Sequence, residues 1–189
     1  MRGALASLLV LLLLVELGSA CAPAPEPKPY LTRFAGPLHI SHQGGEDIHP
    51  TNTMYAFQRS VDLYDTDVLE LDVHRTADGV LVVLHDETVD RTTNGSGLVK
   101  EMYLRELQAL DAAYTFSMDD GETFPERGKG HVIPTLADVF TQFPDRLTNI
   151  EIKQREPPIE DDLVALIGEI WKVEMAMGVD EHGFGSLVS

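Results

Sequence analysis

The sequence predicts an α/β protein built on a largely parallel sheet. Short apolar segments typical of strands alternate along the chain with segments whose apolar residues recur at helical spacing, and this interleaving is typical of parallel sheets. At 43% hydrophobic and 24% charged residues, the 189-residue chain has enough apolar surface to offset the entropy lost on folding. The single cysteine, Cys21, excludes an internal disulfide, so no crosslink holds the fold together.

Five segments are expected to be strands. Each is a short apolar run, and the last run is only the opening of a strand. The expected strands are 38–41, 68–73, 80–84, 147–152 and 185–189. We find no internal repeat, and the polar, Gly-rich segment 111–131 is expected to be a surface loop.

Three helices are expected between these strands. The first follows residues 50–53, which offer helix-cap chemistry, and the second follows Thr135, which can form a capping box with Asp138. The third follows Pro157-Pro158. Apolar residues recur at helical spacing in the first and third, at Met54, Phe57, Val61 and Tyr64, and at Leu163, Leu166, Ile167 and Ile170.

The charge balance excludes one class of partner. The chain has 14 Lys+Arg and 31 Asp+Glu residues, a formal net charge of −17. A nucleic-acid-binding protein normally presents a basic face to phosphates, so we expect no nucleic-acid partner. If the substrate is an anion, a bound cation is the obvious way to attract it.

The first twenty residues have the pattern of an export signal. Arg2 is followed by the apolar run 4–15 and by the small residues Gly18-Ser19-Ala20. The alternative is a membrane span, but the run is short and Glu16 interrupts it. We therefore expect residues 1–20 to be a signal peptide and the protein to be exported. The exported protein would be periplasmic, extracellular or held at the membrane by a lipid anchor.

Cys21 stands directly after the expected cut. It resembles the lipid-attachment cysteine of bacterial lipoproteins, although Gly18 stands where that pattern has an aliphatic residue. Lipidation and plain signal cleavage therefore both stay open, and membrane contact is expected only through such an anchor. Residues 21–33 form a proline-rich linker, and the domain is expected over 34–189.

Carboxylates inside apolar strands carry the main chemical signal. Glu70 and Asp72 are two residues apart, so they point to one side of their strand while the apolar residues between and beside them point to the other. A buried carboxylate needs a positive partner. Glu151 and Lys153 repeat this arrangement on a later strand. The alternatives are solvated charges on a half-exposed strand, or a salt bridge from Lys153 to a neighbouring acid.

Two histidines are expected near these acids. His42 ends the first strand, directly before Gly44-Gly45, where the backbone can approach a ligand. Residues 75–79 are too few for a parallel crossover and predict a hairpin. A hairpin centred on Ala77 would place Glu70 opposite Leu84, with His85 one position further on. Together with the three acids, the histidines form a candidate acid/base and metal site.

Eight short motifs, in a fixed order, give the sequence a resemblance to the glycerophosphodiester phosphodiesterase family. The motifs are Ile40-Ser41-His42-Gln43-Gly44-Gly45, Pro50-Thr51-Asn52-Thr53 with Ala56-Phe57, Leu69-Glu70-Leu71-Asp72-Val73, Thr76-Ala77-Asp78-Gly79, Val82-Val83-Leu84-His85-Asp86, Arg91-Thr92-Thr93-Asn94-Gly95, Ile133-Pro134-Thr135-Leu136 and Asn149-Ile150-Glu151-Ile152-Lys153. The resemblance runs from Leu38 to the last residue. It implies a distorted TIM-type (β/α)8 barrel with the active site at the carboxyl ends of the strands. The implied activity is metal-dependent hydrolysis of glycerophosphodiesters to glycerol 3-phosphate and an alcohol.

The resemblance also implies roles for individual residues. Glu70, Asp72 and Glu151 match the metal ligands, and an all-carboxylate set suits Ca²⁺ or Mg²⁺ rather than zinc. His42 and His85 match the general acid/base pair. Lys153 matches a cation that contacts the substrate phosphate. Gln43 stands where the family usually has arginine, so it is expected to contact the phosphate as a neutral donor.

Two further departures from the family pattern affect the expected function. Thr51 replaces an acid of the family's Pro-Glu-Asn-Thr motif, and Glu46 is a nearby substitute. Only the N-terminal half to five-eighths of a barrel is expected from this chain, so we expect a C-terminally truncated domain. Two alternatives stay open: a phospholipase-type phosphodiesterase on the same fold, and a non-catalytic relic that binds phosphate or metal. Headgroup choice and oligomeric state are not predicted.

Overall fold

The computed structural model describes residues 36–176 and 186–188. The signal peptide expected over 1–20, the anchor expected at Cys21 and the linker expected over 21–33 lie outside the described residues. No helix in the described part is both long and apolar enough to span a membrane.

The described residues form five strands and four helices. The strands are β1 (Ile40–Ser41), β2 (Val68–Arg75), β3 (Leu81–Val83), β4 (Leu147–Ile152) and β5 (Ser186–Val188). The helices are α1 (Met54–Tyr64), α2 (Leu104–Leu107), α3 (Leu136–Gln142) and α4 (Glu160–Ala176). Short 3₁₀ turns cover His42–Gly44 and Val99–Glu101. All five predicted strands and all three predicted helices are present, whereas α2 and the 3₁₀ turns were not predicted.

The sheet is largely parallel, as the alternation of strands and helices predicted. Its order is β1-β2-β4-β5, with parallel pairing throughout, and helices α1, α3 and α4 precede β2, β4 and β5 respectively. β3 pairs antiparallel with the far end of β2. Because successive parallel strands all run the same way, the residues at their carboxyl ends meet along one edge of the sheet.

The predicted hairpin between β2 and β3 is present, but its predicted register is wrong. Val73 pairs with Val83, and the Leu84 N–H donates to the Asp72 carbonyl at 3.0 Å, so Leu84 lies opposite Asp72 rather than Glu70. The reason is the turn, which centres on Asp78 and not on Ala77. Gly79 follows Asp78 with a φ of 84°, a left-handed conformation that glycine adopts without strain. A two-residue shift leaves each side chain on its predicted face.

The main core lies between the sheet and the helices. This core contains the apolar residues on the face of β2 that points away from the carboxylates, and these residues are fully buried. Apolar residues of the helices pack against them. The core contains Phe57, Leu69, Leu71, Val73, Leu81, Val83, Leu136, Val139, Phe140, Phe143, Ile150, Ile159 and Leu163. Tyr64, in the last turn of α1, is instead 48% exposed. Burial of alternate residues on β2 leaves its other face to polar groups.

Local capping fixes where the helices start. Thr53 precedes α1, and its side chain accepts a hydrogen bond from the Ala56 N–H at 3.1 Å. Before α3, Thr135 and Asp138 bond each other's backbone N–H groups at 3.0 and 3.1 Å, which is the predicted capping box. These caps satisfy backbone N–H groups that the first turns of α1 and α3 would otherwise leave without partners.

The segment 111–131 is a loop, as predicted. It contains no helix or strand, and the Ala112 N–H closes its base by donating to the His131 carbonyl at 2.8 Å. Ala112 and Ile133 also belong to a second apolar cluster with Val82, Leu84, Val89, Val99 and Leu107. The loop is therefore anchored to the fold at both ends.

Candidate metal and active site

The sheet register brings three acidic side chains together. Glu70 and Asp72 share one face of β2, and Glu151 on β4 pairs directly with Asp72. One carboxylate oxygen from each residue lies within 4.8 Å of the others. The sequence predicted the shared face of Glu70 and Asp72. The pairing of β2 with β4 adds Glu151 to them.

Asp72 is fully buried and has two polar neighbours. The Asn52 side chain donates from Nδ2 to Asp72 Oδ2 at 2.8 Å, and Lys153 Nζ lies 3.3 Å from Oδ1. Asn52 itself has a φ of 56°, and its N–H donates to the Gln43 carbonyl at 2.9 Å. The sequence indicated helix-cap chemistry and a family motif at residues 50–53, but it assigned no role to Asn52 itself and so missed the contact with Asp72. The position of Asn52 inside that motif was the available signal.

Glu70 is buried beside the first turn after β1. The backbone N–H of Gln43 donates to Glu70 Oε2 at 2.7 Å. Burial raises the pKa of Glu70, and the hydrogen bond from Gln43 only partly opposes this, so the pKa lies above its ordinary value. Gln43 has a φ of 50°, and this left-handed conformation aims its N–H at the carboxylate. The Gln43 side chain is 2% exposed, and its Oε1 has no hydrogen-bond partner among the described residues.

Lys153 lies between two of the acids. Its Nζ is 2.7 Å from Glu151 Oε1, in addition to the contact with Asp72. Partial burial lowers the pKa of Lys153, but the hydrogen bond to Glu151 and the charge of Asp72 outweigh it and leave the pKa above its ordinary value. The salt bridge that was one alternative for Lys153 is therefore formed. The predicted phosphate contacts of Lys153 and Gln43 stay predictions.

The cluster has the properties of a site for a hard cation. The cluster contains three carboxylates and one ammonium group, which contacts only Asp72 and Glu151, so Lys153 does not compensate all of the negative charge. Charge of this density, partly shielded from water, favours binding of a positive ion. The donors are all carboxylate oxygens, and such oxygens suit Ca²⁺ and Mg²⁺. The residues present thus fit a divalent cation.

His42 borders the acidic cluster. Its Nε2 lies 4.0 Å from Glu70 Oε2, and its Nδ1 lies 2.9 Å from Glu46 Oε2. The His42 side chain is 59% exposed, so it is open to a ligand. Glu46 therefore orients His42, a role that sequence reasoning did not assign to it.

His85 is held by a second acid. Its Nδ1 lies 2.7 Å from Asp86 Oδ1, and Arg91 donates to both oxygens of Asp86 at 2.6 and 3.0 Å. The hydrogen bonds from Arg91 do most to lower the pKa of Asp86 to about 2, so Asp86 is ionised at neutral pH. An ionised acid at Nδ1 fixes the ring and leaves Nε2 for other contacts. The sequence placed Asp86 and Arg91 only within motifs, without this role.

Fold and site together define a class of protein. It is an α/β protein of the (β/α)-barrel type, with an acidic cluster that could hold a cation and two acid-oriented histidines near the carboxyl ends of its strands. The model of the glycerophosphoryl diester phosphodiesterase family matches residues 42–183, three quarters of the chain. The chain belongs to this family, as the motifs predicted.

Known proteins similar to this chain agree with that assignment. A glycerophosphodiester phosphodiesterase from Caldanaerobacter subterraneus subsp. tengcongensis is 47% identical over 137 residues, which cover 70% of this chain and 53% of that protein. The crystal structure of glycerophosphodiester phosphodiesterase from Agrobacterium tumefaciens is 30% identical, with a TM-score of 0.61 over 81% of this chain and 58% of that one. A phosphodiesterase from Oleispira antarctica, solved in complex with the product sn-glycerol-3-phosphate, is 29% identical, with a TM-score of 0.56 over 76% of this chain and 54% of that one.

These structural neighbours share the arrangement of the described strands and helices. The sheet of this chain is part of a TIM-type (β/α)8 barrel, which confirms the predicted fold class. The chain spans about half the length of the curated relatives it matches.

Proposed function

We propose that the protein hydrolyses glycerophosphodiesters to glycerol 3-phosphate and an alcohol with the help of a divalent cation. The observation that carries this proposal is the convergence of Glu70, Asp72 and Glu151 beside His42. Membership of the family and the product complex of the similar Oleispira antarctica protein support the choice of substrate.

Glu70, Asp72 and Glu151 would hold the cation, which we propose to be Ca²⁺ or Mg²⁺. When bound, it supplies positive charge that stabilises the negative oxygens around phosphorus. Asn52 keeps one oxygen of Asp72 in place, and the Gln43 N–H does the same for Glu70. We propose that the Lys153 ammonium group and the side-chain amide of Gln43 contact the phosphate oxygens.

The two histidines perform the proton transfers. A new phosphorus–oxygen bond forms to the attacking oxygen, which belongs either to water or to a hydroxyl of the substrate itself. One histidine accepts the proton of that oxygen, and the other gives a proton to the departing alkoxide as its bond to phosphorus breaks. Glu46 orients His42 and Asp86 orients His85, so each ring presents its Nε2.

The test is release of glycerol 3-phosphate from glycerophosphocholine and glycerophosphoethanolamine by the purified full-length protein with Ca²⁺ or Mg²⁺. Excess chelator is expected to abolish release. His42→Ala and His85→Ala are each expected to lower kcat by roughly 10²–10⁴-fold, which is the usual loss when a proton-transfer group is removed. His39→Ala is the matched control, because His39 lies before the site and bonds Thr66 near the start of β2.

Other outcomes would contradict this proposal in different ways. Full activity in excess chelator would refute the cation, and near wild-type turnover of either histidine variant would make that histidine structural. Release from intact phospholipid but from neither glycerophosphodiester would favour the phospholipase-type alternative. Hydrolysis of none of these compounds would favour the non-catalytic relic.

We also propose that the protein is exported, on the evidence of the apolar run 4–15 and the small residues before Cys21. Mass spectrometry of the processed protein tests this. A chain that begins at Cys21 is expected, and a diacylglycerol mass on Cys21 would identify a lipid anchor. An unprocessed N-terminus would refute export by this signal.

A further inference from the structure

A cleft of about 180 Å³ lies beside the candidate active site. Three parts of the chain line it: residues 46, 47 and 49–51 after β1, Arg91-Thr92, and residues 112 and 115–117 of the long surface loop. The Thr115 hydroxyl donates to the Arg91 carbonyl at 2.7 Å and so joins two of these parts. The cleft is therefore a feature of the folded core rather than of a single loop.

Two lining residues connect the cleft to the two histidines. Glu46 lies 2.9 Å from His42 Nδ1, and Arg91 bonds Asp86, which in turn lies 2.7 Å from His85 Nδ1. Each histidine is thus one or two contacts away from the cleft lining. An alcohol that leaves the phosphorus atom near the two histidines would therefore lie next to this cleft.

The lining carries excess negative charge. Glu46 and Asp47 are exposed acids, and Asp47 takes part in no ion pair among the described residues. The one arginine of the lining does not balance them, because its guanidinium is used in two hydrogen bonds to Asp86. The half-buried ring of Phe116 adds an aromatic face of the kind that attracts cations.

A buried histidine also lines the cleft. His49 is 8% exposed, and its Nε2 has no hydrogen-bond partner among the described residues. Burial, and then the nearby charge of Arg59, lower the pKa of His49, so its ring is neutral at neutral pH. A neutral ring adds no positive charge that would repel an ammonium group.

We propose that this cleft receives the alcohol part of the diester and favours a cationic amino alcohol over a neutral one. The inference deepens, and rests on, the proposed hydrolysis. Asp47 is its main specificity-determining residue, with Phe116 and His49 completing the surroundings of the ammonium group. All the lining residues that the described part of the chain provides lie within residues 46–117.

The test variant is Asp47→Asn. It removes the charge but keeps the size, and asparagine tolerates the left-handed backbone of Asp47, whose φ is 70°. The matched control is Asp145→Asn, which changes the net charge equally at an exposed acid outside the cleft. The substrates are glycerophosphoethanolamine, whose alcohol is a cation, and glycerophosphoglycerol, whose alcohol is neutral.

The wild-type protein is expected to prefer the ethanolamine ester in kcat/KM. Asp47→Asn should lower this preference about two- to fivefold, the factor that corresponds to one partly screened ion pair, while Asp145→Asn leaves it unchanged. Equal rates on both esters, or equal effects of the two variants, would overturn the inference and leave the proposed hydrolysis intact.

Binding gives a readout that is independent of turnover. Calorimetric titration of the His85→Ala chain with the same two esters is expected to show tighter binding of the ethanolamine ester, and Asp47→Asn should remove the difference. If the wild-type protein hydrolyses neither ester and this binding preference is present, the proposed hydrolysis fails and the cleft assignment stands. Absence of any binding preference overturns the cleft assignment.

Discussion

Asn52→Asp tests whether a single side-chain amide holds the buried acid of the site. Asn52 donates from Nδ2 to Oδ2 of the fully buried Asp72 at 2.8 Å. The substitution replaces this donor with a second carboxylate of the same shape. Aspartate, like asparagine, tolerates the φ of 56° at this position, so the change adds little backbone strain.

The magnitude follows from the geometry. The lost hydrogen bond to a charged group stabilises the protein by about 1.5–3 kcal/mol. Two unit charges 2.8 Å apart repel by about 6 kcal/mol at an effective dielectric constant of about 20. Placing a proton on an ordinary aspartate at pH 7 requires only about 4 kcal/mol, so the pair takes up a proton instead. We therefore expect a loss of about 2–4 kcal/mol at pH 7.

This loss depends on pH with a definite sign. In the variant the folded state holds a proton that the unfolded state has released, so its stability relative to wild type falls as pH rises. Lowering the pH from 7 to 5 should therefore recover most of the loss, at up to about 1.4 kcal/mol per pH unit.

The assay is urea unfolding followed by circular dichroism, in chelator, at pH 7 and pH 5. The control is Asn94→Asp, because Asn94 is exposed and uses its side-chain oxygen to accept from the Asp111 N–H at 2.9 Å, an acceptor that aspartate retains. A free energy of unfolding for Asn52→Asp within about 0.5 kcal/mol of this control at both pH values would refute the reasoning.

Three further predictions concern the same region. Gly44→Ala should lower the free energy of unfolding by about 1–3 kcal/mol more than Gly79→Ala. Both glycines have a positive φ, but a Cβ on Gly44 would meet α1 atoms at 2.8 and 2.9 Å, whereas a Cβ on Gly79 would face open space. Glu70→Gln should raise the melting temperature in chelator, because burial raises the pKa of Glu70 and disfavours its charge. The same substitution should reduce the increase in melting temperature that added Ca²⁺ or Mg²⁺ produces. Asp86→Asn should lose about 1–2 kcal/mol at pH 7. The pKa of Asp86 is lowered to about 2, so its contribution is complete above the unfolded value and disappears as pH falls through about 2.

Each of these predictions has an outcome that contradicts it. Equal stability of the two glycine variants would show that the α1 contact is soft. An undiminished response of Glu70→Gln to added cation would exclude Glu70 as a ligand. A stability difference for Asp86→Asn that persists unchanged at pH 2 would mean that ionised Asp86 is not its source.

Much of the fold was predictable because its signals are local. Apolar runs, helical spacing and the Thr135–Asp138 box each involve residues within one or two turns of each other, and all produce the predicted elements. The register of the β2–β3 hairpin was the exception. Its turn centres on Asp78 because Asp78 accepts hydrogen bonds from the Thr76 hydroxyl and from the Leu104 N–H, and Leu104 is too distant in the chain to be read from the turn residues.

The sequence by itself determined which acids share a strand face and which family the chain resembles. The two-residue period of a strand places Glu70 and Asp72 on one face, and the order of the motifs indicates the family. Only the tertiary structure decided how these residues meet. It placed Glu151 opposite Asp72, Lys153 between them, and Asn52, Glu46 and Asp86 as partners of the acids and histidines. These contacts join parts of the chain that are far apart, or side chains whose direction depends on packing, and neither follows from local periodicity.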